Sequence, residues 1–465
     1  MIEKFKRLSP SHPIWVVLNQ FFTKALMAIK FFIAAKYLGP EYMGVIGVVL
    51  LIYAISESIT EFGLIHALIQ EKEEPSDKDL DFIWWALFFR GGILAIFLVV
   101  IGFLIPMGQH ANIFAMSCII IAISAWLKSS VSVDFYLIQR KRIFNKIFFI
   151  ASISAITDIV ITFYLLFEMD TLLSIFFGLM GAEVTKFILS YLFLKSGFRL
   201  FCNPLLNVKK YTDFGKWIWA SNLLTLFLNQ SDKLITGALL GVTQLGIYQM
   251  SGRLAQLGIS DLAVAFGQYL FPSFSRLNKD SPEQRDLLLV KSIAYMLVFS
   301  ISNYILVFAL SDLVPIILGN EWKDTVITLK ILSLSMVNGA IISVLVAYFR
   351  AIGLPKKITQ SAIIQLVIFI PALIILTHLY GIVGTAISAV VGTITCLIVL
   401  FHGLNVKLIP NLYEYLHLMI KLLVFILVIT VAIIFSSLFY VSLISTTGYI
   451  AMLLSIYYHE RKALV

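Results

Sequence analysis

The chain has 465 residues, of which 60% are apolar and 13% are charged, and its mean hydropathy is +0.95. This composition excludes a water-soluble globular protein, in which charged residues make up about a quarter of the total. The net charge of +9 comes from cations in short loops between apolar segments rather than in one patch. The positive charge is therefore explained by the orientation of the chain in the membrane and not by nucleic-acid binding.

Fourteen apolar segments are predicted to span a membrane, because about 30 Å of hydrocarbon requires about twenty helical residues. In chain order they are 14–37, 43–69, 82–105, 111–138, 147–168, 171–194, 214–238, 245–271, 290–315, 325–349, 358–377, 381–402, 417–440 and 443–458. The first segment is longer than a signal-peptide core and has no small-residue cleavage site, so it is predicted to remain as a helix. The last two follow a more polar stretch at 405–414, which makes the prediction twelve helices plus a C-terminal hairpin.

The cations between these segments predict the orientation of the chain. If the N-terminus is cytoplasmic, the cytoplasmic loops contain nearly all of the loop lysines and arginines, whereas the outer loops contain only Lys36 and Lys323. This asymmetry is what the positive-inside rule requires. Both termini are therefore predicted to face the cytoplasm.

A short pattern recurs at one constant offset in the two halves of the chain, each time at the turn between paired helices. Its members are Leu38, Gly39 and Gly44 in the first half and Leu240, Gly241 and Gly246 in the second. The offset spans an even number of predicted helices, so both halves cross the membrane in the same direction. We expect an all-α polytopic membrane protein with two parallel six-helix lobes, 1–200 and 201–405, around a central cavity, and an additional hairpin at 406–465.

Ionisable residues are frequent in the spans of the first predicted lobe. Each costs about 2.5–3.5 kcal/mol at the centre of a membrane helix, so it requires a partner or a water-filled cavity. These residues are Lys24, Lys30, Glu57, Glu61, Arg90, Lys128, Asp134, Asp158, Glu183 and Lys186. Facing lipid, they would together cost about 25 kcal/mol or more, which exceeds the stability of a typical domain. We therefore expect most of them to line a hydrated interior.

Several stretches resemble bacterial polysaccharide and oligosaccharide flippases of the multidrug/oligosaccharidyl-lipid/polysaccharide exporter superfamily. They read KFFIAAKYLGPEYMGVIGV and SITEFGLIHALIQ in the first half, and NQSDKLITGALLGVTQLGIYQMSGRLAQL and QYLFPSFSRLNKD in the second. The resemblance covers essentially the full length. It implies a V-shaped, two-lobed transporter of the bacterial inner membrane whose cargo is an undecaprenyl-diphosphate-linked oligosaccharide.

A diphosphate cargo is expected to bind the cations of the first predicted lobe, because arginine and lysine are the side chains that bind phosphate oxygens. The predicted substrate-binding residues are Lys24, Lys30, Arg90, Lys128 and Lys186. Lys24, Arg90 and Lys128 are the leading candidates, and the alternative is that these three cations form structural ion pairs with Glu57, Asp134 or Asp158. Glu183 and Lys186, three residues apart on one helix face, are predicted to neutralise each other.

Paired carboxylates suggest ion coupling. Glu57 and Glu61 are four residues apart on a predicted helix, so they share a face and repel unless a cation or a proton intervenes. The predicted coupling residues are Glu57, Glu61, Asp134 and Asp158, with protons or sodium as the ion. The alternative pairs Glu57 and Glu61 with Lys24 and Lys30 across the contact of the first two helices.

Neither a cofactor nor a metal is predicted, because the three cysteines are isolated and the seven histidines have no ligand spacing. No HExxH or GxSxG motif occurs either, which disfavours a membrane-bound glycosyltransferase or polymerase. A multidrug exporter of the same fold is the other alternative, although a cavity rich in lysine and arginine suits an anionic cargo better. Membrane lipid, polysaccharide polymerase and export proteins are the candidate partners, and no nucleic acid is expected.

Overall fold

The computed structural model of the chain describes residues 9–12, 14–61, 63–70, 74–194 and 208–404. The predicted C-terminal hairpin at 406–465 lies outside these ranges. The described residues form helices and no β-strand, so the predicted all-α fold is confirmed.

The helices of the described residues are numbered here in chain order. They are α1 Ile14–Thr60, α2 Leu64–Gln70, α3 Asp77–Leu104, α4 Ala111–Ser129, α5 Asp134–Arg140, α6 Phe144–Met169, α7 Leu173–Leu192, α8 Val208–Leu240, α9 Val242–Gln256, α10 Ser260–Asp280, α11 Pro282–Leu310, α12 Leu313–Leu318, α13 Lys323–Ala351 and α14 Pro355–His402. Two 3₁₀ turns, Gly108–His110 and Asn320–Trp322, precede α4 and α13.

Eight helices in the described ranges are long and apolar enough to cross a membrane. Two of them, α1 with 47 residues and α14 with 48, have more than twice the length of about twenty residues that one crossing requires. Each is interrupted by a glycine with positive φ, Gly39 at 70° and Gly381 at 59°. A residue in this conformation redirects the chain, so α1 and α14 each supply two of the predicted spans. The protein is therefore a multi-pass membrane protein.

The prediction was wrong in treating 43–69, 111–138 and 245–271 as continuous helices. The first is divided between α1 and α2, the second between α4 and α5, and the third between α9 and α10. Gly63 and Gly258 lie at two of these breaks with φ of 67° and 79°. Glycines with a left-handed backbone conformation end helices. A hydropathy profile does not detect these helix ends, because the flanking residues are apolar.

The break between α4 and α5 has a different cause, since other helices supply hydrogen bonds to its backbone. The Tyr191 hydroxyl on α7 donates to the Ser130 carbonyl at 3.0 Å and accepts from Trp84 Nε1 on α3 at 2.9 Å. The Ser132 N–H donates to Ser190 Oγ at 3.2 Å. These bonds replace those that a continuous helix would have made.

The two halves of the chain repeat one order of helices. In the first half a bent pair (α1) is followed by α3, a 3₁₀ turn, α4, and the pair α6 and α7. In the second half the bent pair is α8 and α9, followed by α11, a 3₁₀ turn, α13 and the two arms of α14. The backbone breaks correspond as well, because Gly39 and Gly241 have φ of 70° and 84°, and Asp170 and Gly381 have φ of 44° and 59°.

The glycines of the repeat contact each other directly where the second arm of α1 crosses α9. A Cβ atom on Gly44 would overlap the Val242 carbonyl, and a Cβ on Gly246 would overlap the Pro40 carbonyl. Val242 and Pro40 are themselves equivalent under the repeat offset. The crossing is therefore reciprocal, and it requires glycine on both helices because the two backbones touch.

By contacts the chain divides into two compact units, 1–249 and 250–465. The first unit buries Trp84 and Leu87 of α3 against Leu68 of α2. The second unit packs α10, α11 and α13 around Phe274 and Phe349, both fully buried. The lobe boundaries given from the sequence, 1–200 and 201–405, stay predictions.

Candidate functional site

A cavity of about 430 Å³, mostly apolar but with several polar lining side chains, lies among α1, α5, α6 and α7 of the first unit. We call it the Lys30 pocket and define it by its polar lining, which is Asn19, Thr23, Lys30, Ser154, Asp158 and Lys186. Apolar side chains of the same helices complete its wall. Three of the residues predicted as functional, two lysines and one aspartate, are thus brought together in one space.

Lys30 and Asp158 form an ion pair inside the pocket. The Lys30 ammonium, whose side chain is 0% exposed, donates to both carboxylate oxygens of Asp158 at 2.7 and 2.9 Å. The Thr162 hydroxyl donates to the same carboxylate at 3.3 Å. Two buried charges tolerate each other only with such satisfied geometry. Lys30 therefore has a partner that the sequence analysis did not pair it with, and the assignment of Lys30 to cargo binding stays a prediction.

Lys186 differs from Lys30 in its surroundings. Its ammonium lies 5.1 Å from the centre of the Phe135 ring, a cation–π distance. The predicted neutralisation by Glu183 is wrong, because the two side chains form no ion pair and Glu183 Oε2 is buried without a hydrogen-bond partner among the described residues. Lys186 thus brings a charge to the pocket that no described carboxylate balances by contact.

A second group, the Lys128 cluster, consists of Tyr53 and Glu57 on α1 and Lys128 on α4. The Lys128 ammonium donates to Glu57 Oε1 at 2.5 Å and to the Tyr53 hydroxyl at 3.2 Å. This pair agrees with the ion-pair alternative. The other alternative, which paired Glu57 with Lys24 or Lys30, is wrong because Glu57 and Lys30 each have a different partner.

Arg90 on α3 bonds neutral oxygens instead of a carboxylate. Its Nε donates to the Thr60 hydroxyl at 3.3 Å and its Nη2 to the Glu57 backbone carbonyl at 3.2 Å. The last carbonyls of a helix have no partner within that helix, so Arg90 caps α1 where it ends. Arg90 and Glu61 also line a mostly apolar cavity of about 350 Å³.

Two predicted residues lie apart from these groups. Lys24 on α1 is exposed and is not among the residues that line the Lys30 pocket. Asp134 begins α5, where its backbone N–H donates to Ser132 Oγ at 3.2 Å. The assignments of Lys24 to cargo and of Asp134 to ion coupling stay predictions.

Sequence reasoning missed the uncharged members of both groups. Asn19 lines the Lys30 pocket with a buried side-chain carbonyl that has no partner among the described groups. Tyr53, Thr60 and Thr162 hold Lys128, Arg90 and Asp158. Hydroxyl and amide side chains are common in membrane helices, so nothing in one sequence distinguishes these positions.

No group of three or more His, Cys, Asp or Glu side chains that could hold a metal occurs in the searched, described part of the chain. The charged side chains of the two groups are ammonium and carboxylate groups. Such groups bind anions and exchange protons.

Comparison with known proteins places the chain among proteins of one process. A family model described as polysaccharide biosynthesis protein matches residues 33–327. A membrane protein encoded in the cps region of Klebsiella pneumoniae, itself uncharacterized, is 23% identical over 389 residues, which are 80% of this chain and 77% of that protein. The lipopolysaccharide biosynthesis protein WzxC of Escherichia coli (strain K12) is 21% identical over 385 residues, 80% of this chain and 76% of that protein.

The fold has a counterpart among solved structures. The lipid II flippase MurJ, in an inward closed conformation, superposes with a TM-score of 0.72 at 17% identity, covering 97% of this chain and 99% of that one. At this level of identity the likeness shows a shared fold alone.

Proposed function

Because the chain belongs to the polysaccharide biosynthesis protein family, whose model matches residues 33–327, we propose that it flips a lipid-linked oligosaccharide across the bacterial inner membrane. The resemblance stated from the sequence, to flippases of the exporter superfamily, is confirmed by this membership. So is the prediction of a transporter rather than an enzyme. The names of the similar proteins, a lipopolysaccharide biosynthesis protein and a lipid II flippase, support a lipid-linked saccharide as the cargo.

The proposed cargo is an undecaprenyl-diphosphate-linked oligosaccharide, moved from the cytoplasmic to the outer leaflet by alternating access. In this proposal both termini face the cytoplasm, in agreement with the loop charges. The proposal includes coupling to a proton or sodium gradient. Membrane lipid surrounds the protein, and polysaccharide polymerase and export proteins receive the product.

The observation that carries the proposal is the charge of the Lys30 pocket. Lys30 and Asp158 neutralise each other at 2.7 Å, so the net charge of the three ionised side chains is that of Lys186. An ammonium group in a pocket of about 430 Å³ attracts an anion more strongly than it would in water, because the local dielectric constant is low. The diphosphate is the anionic part of the cargo.

A multidrug exporter of the same fold is the second candidate. Cationic drugs require an acidic or aromatic pocket, whereas the described pocket carries more positive than negative charge. The pocket therefore favours the lipid-linked anion.

The test is transport by the purified chain in proteoliposomes that contain an undecaprenyl-diphosphate-linked oligosaccharide. The fraction of sugar accessible to an external lectin is measured over time. We expect Lys186→Gln to slow flipping at least tenfold, because one charge-assisted contact with phosphate contributes about 1.5–3 kcal/mol. Lys146→Gln is the matched control, since Lys146 on α6 is exposed.

Two different outcomes would contradict the two parts of this proposal. Wild-type flipping by Lys186→Gln would remove the anion-binding role of the pocket. An inactive wild-type protein that instead expels a cationic dye from the same vesicles would replace the flippase proposal by the multidrug one.

A further inference from the structure

The cavity of about 350 Å³ that Arg90 lines lies where the end of α1, the short helix α2 and the first half of α3 meet. We call it the Arg90 cavity. Most of its lining is apolar, and its polar side chains are Thr60, Glu61 and Arg90. It shares no lining residue with the Lys30 pocket, so the proposed cargo site does not account for it.

The Arg90 cavity opens toward the hydrocarbon of the bilayer. Two of its lining side chains, Phe89 and Ile93, are 56% and 64% exposed. They begin a stripe of exposed apolar residues, spaced three or four apart along α3, that continues with Ile96, Val100 and Phe103. This spacing places the stripe on one helix face, and an exposed apolar face of a membrane-spanning helix contacts lipid. A lipid chain that lies along this face of α3 therefore reaches the cavity directly.

The polar side chains of the cavity lie at the level of a membrane interface. The second arm of α1 runs from the break at Gly39 to Thr60, which is about 30 Å by the rise per residue of an α-helix. The hydrocarbon core has the same thickness. At the start of this arm Glu41 is exposed and binds His110. Thr60, and the Arg90 guanidinium that donates to it, therefore lie near the opposite boundary, where lipid head groups begin.

Both charges of the cavity retain hydrogen-bonding capacity. Arg90 uses Nε and Nη2 to cap α1, and its Nη1 has no acceptor in the described part of the chain. Within the same ranges, neither Arg90 nor Glu61 belongs to an ion pair. The nearby Glu57 carboxylate is neutralised by Lys128. The cavity thus presents one guanidinium and one carboxylate whose charges sum to zero.

These features match a phospholipid whose head group carries both charges. A phosphate oxygen accepts from a guanidinium, and a primary ammonium donates to a carboxylate. A lipid with a phosphate alone would bring an anion next to Glu61, and the diphosphate of the proposed cargo brings more negative charge still. A quaternary ammonium has no N–H to donate. Phosphatidylethanolamine has a phosphate, a primary ammonium and two apolar chains.

We propose that the Arg90 cavity binds phosphatidylethanolamine from the surrounding membrane. The lipid phosphate binds Arg90, its ammonium binds Glu61, and one acyl chain packs along Phe89 and Ile93. The bound lipid bridges α3 and the end of α1, beside the break at Gly63 where α1 and α2 separate. This assignment goes beyond the proposed function and differs from the sequence prediction, which gave Arg90 to the cargo and Glu61 to ion coupling.

The direct test is native mass spectrometry of the purified, delipidated full-length protein. It is titrated separately with phosphatidylethanolamine, phosphatidylcholine and phosphatidylglycerol that carry the same acyl chains. We expect phosphatidylethanolamine to have a dissociation constant at least about fivefold lower than the other two, because only its head group can satisfy both side chains. Equal constants for the three lipids, or tighter binding of phosphatidylglycerol, would overturn the proposal.

The carboxylate is tested by Glu61→Gln. This variant should bind phosphatidylethanolamine and phosphatidylglycerol about equally, because the amide no longer attracts the ammonium. Glu168→Gln, at an exposed position of α6, is the matched control and should keep the wild-type preference. A preference that survives in Glu61→Gln would contradict the assignment of the ammonium.

The space of the cavity is tested by Ala86→Phe, because Arg90 variants also lose the cap of α1. Ala86 lines the cavity, so a phenylalanine ring there should weaken phosphatidylethanolamine binding at least about fivefold by taking the room of the acyl chain. Ala95→Phe, on the same helix but outside the lining, should bind as the wild type does. Unchanged binding in Ala86→Phe would place the lipid elsewhere. None of these measurements contains cargo, so their results are separate from the test of flipping.

Discussion

Corresponding positions of the two repeated halves carry different chemistry in the same helical framework. Counted from the break between paired helices, Asp158 before Asp170 corresponds to Phe369 before Gly381. Asp158 binds Lys30 and packs under Gly178, whereas Phe369 is an apolar contact under Gly392. In the bent pairs, Lys30 before Gly39 corresponds to Asp232 before Gly241, and Asp232 accepts from the Tyr248 hydroxyl at 2.8 Å.

The difference shows that the fold does not require the ion pair. At the corresponding position the second half has Phe369, an apolar side chain that packs against Gly392. Buried ion pairs contribute little net stability compared with apolar side chains of similar size. We therefore propose that the Lys30–Asp158 pair serves the function of the first half rather than its folding. Three predictions test this comparison.

The largest effect is expected from Asp158→Ala. It leaves the Lys30 ammonium buried without its partner, which costs about 3–5 kcal/mol of stability. Thermal unfolding of the purified protein in detergent measures the loss. The matched control is Lys330→Ala, which breaks an ion pair with the 70% exposed Asp312 and should cost less than about 1 kcal/mol. Equal losses in the two variants would show that Lys30 is not desolvated.

A smaller effect is expected at the reciprocal crossing, where the two halves are alike. Gly44→Ala and Gly246→Ala each place a methyl group against a backbone carbonyl, and overpacking of this kind costs about 1–3 kcal/mol. Because the contact is reciprocal, both variants should lose similar stability in the same unfolding assay. Gly252→Ala on α9, where a Cβ meets no atom within 4 Å, should gain up to about 1 kcal/mol through helix propensity. A harmless Gly246→Ala would refute the close approach of the helices.

The smallest change in stability is expected when the first half is made like the second. Lys30→Met combined with Asp158→Leu removes both charges and keeps the volume, so stability should stay within about 1 kcal/mol of the wild type. Flipping in proteoliposomes should fall at least tenfold, because the lining of the pocket then loses two of its three ionised side chains and keeps only Lys186. A stable double variant that transports normally would show that the pair is dispensable for function.

The sequence predicts those parts of the molecule that depend on local composition. Span lengths, the concentration of ions in the first half and the offset of Gly44 and Gly246 all follow from residues read in order. The pairing of Lys30 with Asp158 joins residues 128 positions apart, and no local pattern distinguishes it from a pairing with Glu57. The sequence also does not predict that Arg90 caps α1, because the acceptors of its hydrogen bonds are a hydroxyl and a backbone carbonyl.

The crossing at Gly44 and Gly246 also bears on how such a chain originated. A contact in which residue i of one copy touches residue j of the other, and j of the first touches i of the second, is the signature of a two-fold homodimer. Pro40 with Gly246, and Val242 with Gly44, form such a contact inside one polypeptide. A shorter ancestral protein that paired with itself would have needed glycine at this point only once. In this chain each half depends on the glycine of the other, so a substitution of either glycine disturbs the contact that both halves make.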